Sequence, residues 1–331
     1  MIKFERLGVV LQHRSPTHKT IAKYNAGMVL EGNRVHMAFR YSEWRREFDE
    51  SMSNYAKDEI RHALLTPDGE LHEESVLPLI SPSWRAECSG CQDARIVRFE
   101  DWYYLTYCGW DKDIAPAGQD RPSMAFARTR DFVSVEKLGL VRHFAPDKDH
   151  YLFPERINGQ VAMVHRVSPN IQLELFDRIE DMLNPSFWDA YTPEKAEAAT
   201  ILRAANSWEY GKVGGSIPPI RTAAGWLFTY HGVEPLYGDP EQPFIYRMGL
   251  ALLDLTNPRK VIARLPYPVL EPETEYERRG DVNNVVFPVG GYLHQGWFYI
   301  SYGGADRVTA LARAQLADIL AELDRYRTGG A

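Results

Sequence analysis

The chain has 331 residues, of which 44% are hydrophobic and 25% charged, with a formal net charge of −7. That balance supports a folded core and disfavours a nucleic-acid or anionic-membrane surface. No apolar run of about 18 residues is present to cross a membrane, and three cysteines do not make a disulfide framework.

The opening Met1-Ile-Lys-Phe-Glu-Arg-Leu7 lacks the charged-then-apolar pattern of a signal peptide, so a cytoplasmic location is expected. A short strand is predicted around Leu7 to Leu11. Five early strands follow at wide intervals: Asn25 to Leu30, Asp93 to Phe99, Tyr151 to Ile157, Ile217 to Ile220 and Val285 to Pro288. Each precedes a copy of one phrase, a turn leading into a β-branched and aromatic strand. The copies run Gly32 to Tyr41, Asp101 to Tyr107, Asn158 to Arg166, Gly225 to His231 and Gly296 to Tyr302. Third strands come next: Arg61 to Leu65, Met124 to Ala127, Ile171 to Phe176, Met248 to Leu253 and Val308 to Leu311, bounded by turn signals such as Pro67-Asp-Gly69.

Between Arg40, Tyr107, Arg166, His231 and Tyr302 the steps are 67, 59, 65 and 71 residues. A unit of about 65 residues is too long for a solenoid repeat and suits a four-stranded propeller blade with long loops. The fold class is therefore all-β: residues 1–331 form a single five-bladed β-propeller, with the Leu7 to Leu11 strand completing the last blade and closing the ring. Two stretches interrupt the pattern, Trp44 to Asp58 and Glu180 to Ala205. Both are expected as loops or helices over one face, in the manner of lids. Leu316, Ile319, Leu320 and Leu323 stand at helical spacing, which predicts a C-terminal helix over about residues 314–326 for packing or oligomer contact.

A propeller gathers the inner-strand ends of every blade around one axis. The polar residues at those ends are Asn25 and Arg40; Gln92, Asp93 and Arg95; Asp147, Lys148, Asp149, His165 and Arg166; Lys212, Tyr230 and His231; and Asn283, Asn284 and Asp306. Arg40, Arg95, Arg166, Lys212 and His231 occupy comparable places in four blades, and together they would make a cationic pocket in an acidic protein. Such a cluster suits phosphate or carboxylate, since Arg offers a planar fork and Lys a point charge. The plainer alternative is a set of separate strand-end cations. Asp93 is the candidate general acid, and its plainer alternative is an ion pair with Arg95 across one face of a regular strand. Glycosidases usually need two carboxylates, whereas an inverting phosphorylase needs one acid because phosphate supplies the attacking oxygen. One prominent Asp beside a basic cluster favours phosphorolysis, with Glu234, Glu277 and Asp306 as possible second carboxylates. Cys88-Ser-Gly-Cys91 has no second pair at zinc spacing, and Asp147 to Asp149 reads as a structural loop rather than a calcium site, so no metal is expected. Trp44, Trp84, Trp110 and Trp208 fall in loops, where they could stack on sugar rings.

Several phrases now carry a resemblance. Gly90-Cys-Gln-Asp-Ala-Arg95, Asp147-Lys-Asp149, Val164-His-Arg166, Lys212-Val-Gly-Gly-Ser-Ile-Pro-Pro-Ile220, Gly225-Trp-Leu-Phe-Thr-Tyr-His231, Leu252-Leu-Asp-Leu-Thr-Asn-Pro258 and Asn283-Asn-Val-Val-Phe-Pro288 resemble glycoside hydrolase family 130. The match keeps its order over nearly the whole chain. That family comprises five-bladed propellers acting on β-mannosides, mostly inverting phosphorylases and some β-1,2-mannosidases. The resemblance implies Asp93 as general acid, relaying its proton through a mannose hydroxyl. It implies Arg166, Lys212 and His231 as phosphate ligands, and Asn25, Arg40, Arg95, Asp149, Tyr230, Asn284 and Asp306 as sugar-binding residues. Inorganic phosphate would be co-substrate, no cofactor would be needed, and a homo-oligomer is expected. The family's acid motif usually reads Gly-x-Glu-Asp-Pro-Arg; here Gln92 replaces the Glu and Ala94 the Pro, which removes a charge beside the acid. The readings that follow are a β-mannoside phosphorylase, a β-mannosidase, or a sugar-binding propeller without catalysis. Linkage and leaving sugar stay open.

Overall fold

The computed structural model describes residues 2–13, 21–43, 58–111, 122–237 and 242–328. The chain begins with β1 (Glu5–Leu11), which belongs to the last sheet. Blade 1 is β2 (Ile21–Glu31), β3 (Arg34–Glu43), β4 (Glu59–Leu65) and β5 (Leu71–Ile80). Blade 2 is β6 (Gly90–Phe99), β7 (Trp102–Trp110), β8 (Ser123–Thr129) and β9 (Val135–Val141). Blade 3 is β10 (Asp147–Leu152), β11 (Val161–Val167), β12 (Ile171–Phe176) and β13 (Thr200–Leu202). Blade 4 holds β14 (Lys212–Gly215), β15 (Ile220–Thr222), β16 (Gly225–Pro235), β17 (Phe244–Leu253) and β18 (Val261–Arg264). Blade 5 is β19 (Val286–His294), β20 (Trp297–Gly304), β21 (Val308–Gln315) and the returning β1.

Every named pairing is antiparallel, and the five repeated phrases become β3, β7, β11, β16 and β20, the second strand from the axis. Apolar side chains alternate along them and fill the seams between neighbouring blades. Ala38 and Ile60 of blade 1, for example, share a cluster with Leu105 and Tyr107 of blade 2. Near the axis the inner strands crowd: a Cβ on Gly27 would lie 2.4 Å from the Ala94 main-chain oxygen, and one on Gly290 would lie 2.2 Å from the Met28 nitrogen. Only glycine allows that approach.

Three expectations change. Tyr151 to Ile157 overlaps β10 only at its first residues, because the strand starts earlier, at Asp147. Of Ile217 to Ile220, the first three residues fall in the break between β14 and β15, where Pro218 and Pro219 have no N–H for a ladder, and Ile220 opens β15. The Glu180 to Ala205 stretch is no cover for the axial pocket. It forms α1 (Pro185–Asp189), α2 (Pro193–Ala199) and then the outer strand β13 of blade 3. Asn184 and Thr192 cap the two helices, and Trp188 and Ala196 pack with Val97, Phe99 and Phe176 between blades 2 and 3. The other proposed lid, Trp44 to Asp58, lies outside the described residues apart from Asp58.

Two short elements complete the chain. In α3 (Glu275–Arg278), Glu277 is buried. The C-terminal helix is α4 (Leu316–Asp324), shorter than its apolar spacing suggests because β21 runs on to Gln315. Its Ile319 and Leu323 are buried beside Leu250 and Ala263 of blade 4, so this helix packs on its own propeller. Among the described residues, no helix is long and apolar enough to cross a membrane.

Candidate active site

The pocket is built from one irregularity repeated in three blades. In blade 1 the register jumps from Tyr24↔Arg40 to Gly27↔Ala38; in blade 2 from Gln92↔Cys108 to Arg95↔Thr106; in blade 3 from Lys148↔Arg166 to Tyr151↔Val164. Each jump is a β-bulge, which re-aims a side chain at the cost of one ladder step. The bulged residues are Asn25, Asp93 and Asp149, with φ of 50°, 56° and 58°. Asn and Asp tolerate this left-handed conformation better than most residues. Three blades thereby turn a short polar side chain toward the axis.

Asn25, Arg40, Asp93, Lys148, Asp149, Arg166, Lys212, His231, Phe244, Tyr246, Val282, Val285, Phe287 and Asp306 line a cavity of about 300 Å³. One side holds the acid. Asp93 Oδ1 accepts from Asn25 Nδ2 at 2.9 Å and lies 3.4 Å from Arg40 Nη1. Asp306 faces the same region; burial pushes its carboxyl up to about 7, with Arg40 opposing and Asp93 adding to the shift. The other side is basic. Arg166 Nη1 lies 3.1 Å from Asp149 Oδ2. Burial, then Arg166, pulls the Lys212 amine down to about 8, so it remains largely protonated at neutral pH. Burial also takes His231 down to about 3; Asp149 opposes this, while Arg166, Lys212 and Arg95 add to it. His231 is therefore a neutral hydrogen-bonding group in the free protein, not the cation its residue type suggested. Its Nδ1 stands 3.1 Å from Ser216 Oγ, while its Nε2 has no hydrogen-bond partner among the described residues.

Eight of the sequence-nominated residues thus meet in one cavity: Asn25, Arg40, Asp93, Asp149, Arg166, Lys212, His231 and Asp306. Three do not line it. Arg95 lies beneath the floor, donating to Asp149 Oδ1 at 2.8 Å, to the Asp93 carbonyl at 2.9 Å and to the Ser216 carbonyl at 3.3 Å. The bulge removes Asp93 and Arg95 from a common regular face, so their side chains do not form the ion pair a regular strand allows. Tyr230 precedes His231 on β16, and strand alternation sends it to the opposite face, into the blade-3 and blade-4 core. Asn284 donates its side-chain amide to Gln242 Oε1 at 2.6 Å.

Asp149 carries two duties: it lines the cavity and is clamped by Arg95 and Arg166. Burial works against its charge, yet those two guanidiniums hold its carboxyl well below the usual range. Lys148, which had no assigned role, also reaches the cavity, with its Nζ 4.1 Å from the Trp110 ring centroid. Adjacent residues share one side here because the bulge falls between Lys148 and Tyr151. That same contact gives Trp110 a cation as its partner. Trp208 is buried against Tyr230, Trp84 stands 4.9 Å from Lys137 Nζ, and Trp44 lies outside the described residues.

Of the three alternative second carboxylates, Asp306 lines the cavity and the other two are engaged elsewhere. Glu234 pairs with Arg247 at 2.6 Å. Glu277 is fully buried, accepting from Tyr302 and Arg6, each at 2.8 Å. Glu87 does the same with Tyr107 and Lys137, both at 2.7 Å, and Glu209 with Tyr230 at 2.7 Å and Arg264 at 2.8 Å. These three glutamates also accept main-chain N–H groups at the start of their own short helical turns. Blade 3 replaces the tyrosine by His165, whose Nδ1 meets Asp147 Oδ2 at 2.5 Å; His143 Nε2 approaches the same oxygen at 2.7 Å. Those are hydrogen-bond separations, and the other Asp147 oxygen accepts the Arg166 main-chain N–H at 2.9 Å, so the group has a structural role as it stands.

An axial cavity lined by three carboxylates, Asp93, Asp149 and Asp306, and four cations, Arg40, Lys148, Arg166 and Lys212, is made for a small polar substrate with hydroxyl and anionic parts. Comparison with known proteins gives its kind. A family model described as β-1,4-mannooligosaccharide phosphorylase matches residues 3–325. A 1,2-β-oligomannan phosphorylase of Thermoanaerobacter sp. (strain X514) is 31% identical over 96% of this chain and 99% of its own. A β-1,2-mannobiose phosphorylase of the same organism is 31% identical over 86% of this chain and 87% of its own. Among solved structures, the β-1,2-mannobiose phosphorylase of Listeria innocua shares the fold with a TM-score of 0.78 at 24% identity, over 97% of this chain and 99% of its own. The chain belongs to glycoside hydrolase family 130.

Proposed function

We propose that this protein is an inverting phosphorylase of β-mannosides, with β-1,2-linked mannosides the first substrates to try. The observation that carries the reading is the division of one cavity into an acid side, Asp93 with Asn25, Arg40 and Asp306, and a basic side, Lys148, Arg166 and Lys212 with neutral His231. The choice of linkage follows the relatives that match over the greatest length, which are named for β-1,2 substrates.

In this reading Asn25, Arg40 and Asp306 hold mannose hydroxyls, and Asp149 keeps Arg166 in place. Arg166, Lys212 and Lys148 bind inorganic phosphate, and His231 adds a hydrogen bond through Nε2. A phosphate oxygen attacks the anomeric carbon as the bond to the glycosidic oxygen breaks. Asp93 supplies the proton that oxygen needs, through a mannose hydroxyl as in the family it resembles. The products are α-mannose 1-phosphate and a free sugar. General acid catalysis of this kind contributes about 10²–10⁴-fold, and preorganised cations stabilise charge on the attacking group. Hydrolysis would need a second carboxylate to activate water. Glu234 and Glu277 are engaged away from the cavity, which leaves Asp306.

The deciding test is product analysis on β-1,2- and β-1,4-mannobiose with and without inorganic phosphate. Mannose 1-phosphate that forms only with phosphate is expected. Free mannose formed at an equal rate without phosphate would reject the phosphorylase in favour of a mannosidase.

A further inference from the structure

Asp58 is 2% exposed and does not line the cavity. Its main chain is tied to the start of β6: the Asp58 carbonyl accepts the Cys91 N–H at 3.0 Å, and the two segments bridge at Gly90. A Cβ on Gly90 would lie 2.6 Å from the Asp58 Cβ, so glycine makes room for this contact. Three side chains donate to the Asp58 carboxylate. Ser42 Oγ meets Oδ1, while Arg40 Nη2 at 2.8 Å and Gln92 Nε2 at 2.6 Å share Oδ2. Two of those donors border the proposed acid. Arg40 reaches Asp93 with its other amine, and Gln92 is the residue immediately before Asp93 on the bulged strand.

A buried carboxylate that touches no substrate space but grips both neighbours of the acid fixes their positions. The residue at 92 must then be a neutral donor. A carboxylate there would stand at hydrogen-bond distance from Asp58, and two like charges in so buried a place cannot both persist. We infer that Asp58 and Gln92 form a positioning pair for Asp93 and Arg40, in which one negative charge is required and Asp58 carries it. The Gln92 that stands in the acid motif is thus matched to Asp58 rather than being a lost catalytic charge. This inference rests on the reading of Asp93 as the acid and Arg40 as a sugar ligand.

The test moves the charge. Asp58→Asn, Gln92→Glu and the double variant Asp58→Asn/Gln92→Glu are compared with the parent for phosphorolysis of β-1,2-mannobiose, for binding of mannose alone by calorimetry, and for thermal unfolding. Each single variant, Asp58→Asn with no carboxylate and Gln92→Glu with two forced to compete for one place, should lower kcat/KM by about tenfold or more and weaken mannose by a similar factor, the loss expected when a charged hydrogen bond is disturbed. The double variant should recover to within a few-fold of the parent. A folded double variant no better than Asp58→Asn, or an Asp58→Asn enzyme within twofold of the parent in both assays, overturns the pair. If Asp58→Asn does not fold, Gln92→Leu carries the test: kcat should fall at least threefold, and an unchanged kcat rejects the role. Mannose binding needs no turnover. A parent that binds mannose but shows no phosphate-dependent product rejects the phosphorylase, while the pair is still judged from the affinities.

Discussion

Two sets of buried polar groups, one at the blade seams and one around the axial cavity, differ in how completely they are matched. At the blade seams, both oxygens of Glu87, Glu209 and Glu277 are engaged, by a tyrosine from the repeated strand, a cation from an outer strand and main-chain N–H groups. Around the cavity, Asn25 Oδ1, Arg40 Nε, Arg166 Nε and His231 Nε2 are buried without a hydrogen-bond partner among the described residues. Burying a polar atom without a partner costs roughly 1–3 kcal/mol, so four around one cavity mark a surface shaped for something other than the chain itself. Alternation divides the labour: Tyr230 and His231 are neighbours, one closing a seam and the other facing the cavity. The contrast teaches that residue type alone does not separate the two sets, whereas the face a side chain takes and the partners it finds there do.

The comparison can be broken in several places. The largest effect belongs to Asp93→Asn, which should lower turnover by about 10²–10⁴-fold while leaving thermal unfolding unchanged. Activity equal to the parent would remove the acid. Next is Arg166→Ala, which should raise the KM for phosphate by about 10–100-fold through loss of charge-assisted hydrogen bonds. Sugar affinity serves as its control, and an unchanged phosphate KM would place the anion elsewhere. A smaller effect concerns pH. Lys212 titrates near 8 in the free protein, and the protonated form is the one that attracts phosphate. Phosphate affinity should therefore weaken as pH rises through about 8, and Lys212→Arg should carry that loss to higher pH. Titration calorimetry across pH checks both statements; an identical profile in Lys212→Arg would assign the effect to another group. The smallest change sharpens the seam side. Tyr230→Phe removes the hydrogen bond donated to Glu209 and the one accepted from Arg264 Nε, and should cost about 1.5–3 kcal/mol of stability, with kcat/KM within twofold of the parent. A selective loss of sugar affinity would return Tyr230 to the site.

Much of this was legible in the chain. The five phrases mark the second strands, and their spacing gives the blade count. Closure by the strand around Leu7 to Leu11 follows from the missing fourth strand of blade 5. Asp93, Arg166, Lys212 and His231 stand at strand ends that a propeller must bring together. What escaped depends on geometry that a period of two cannot express. The bulges at Asn25, Asp93 and Asp149 break that period, so Arg95 looked like a companion of Asp93 and Lys148 looked like a loop residue. Tyr230 is a different case: two adjacent residues of one regular strand cannot both face the axis, and that rule excludes it on sequence alone. Asp58 gave no signal, since it stands at the end of a charged stretch and meets Arg40 and Gln92 only in the folded chain.

The ring is shut by β1 lying against β21, where Arg313 reaches back 308 positions to Glu5, and Arg6 reaches forward 271 positions to the buried Glu277 of blade 5. A growing chain therefore makes this strand before all five blades and can seat it only after them. Until blade 5 has emerged, β1 waits with its hydrogen-bonding edge uncovered, and the sheet it completes is gained only after the longest loop in the molecule has closed. Such a waiting edge is open to pairing with other chains. The fastening that completes the ring is thus a strand synthesised before every blade it holds together.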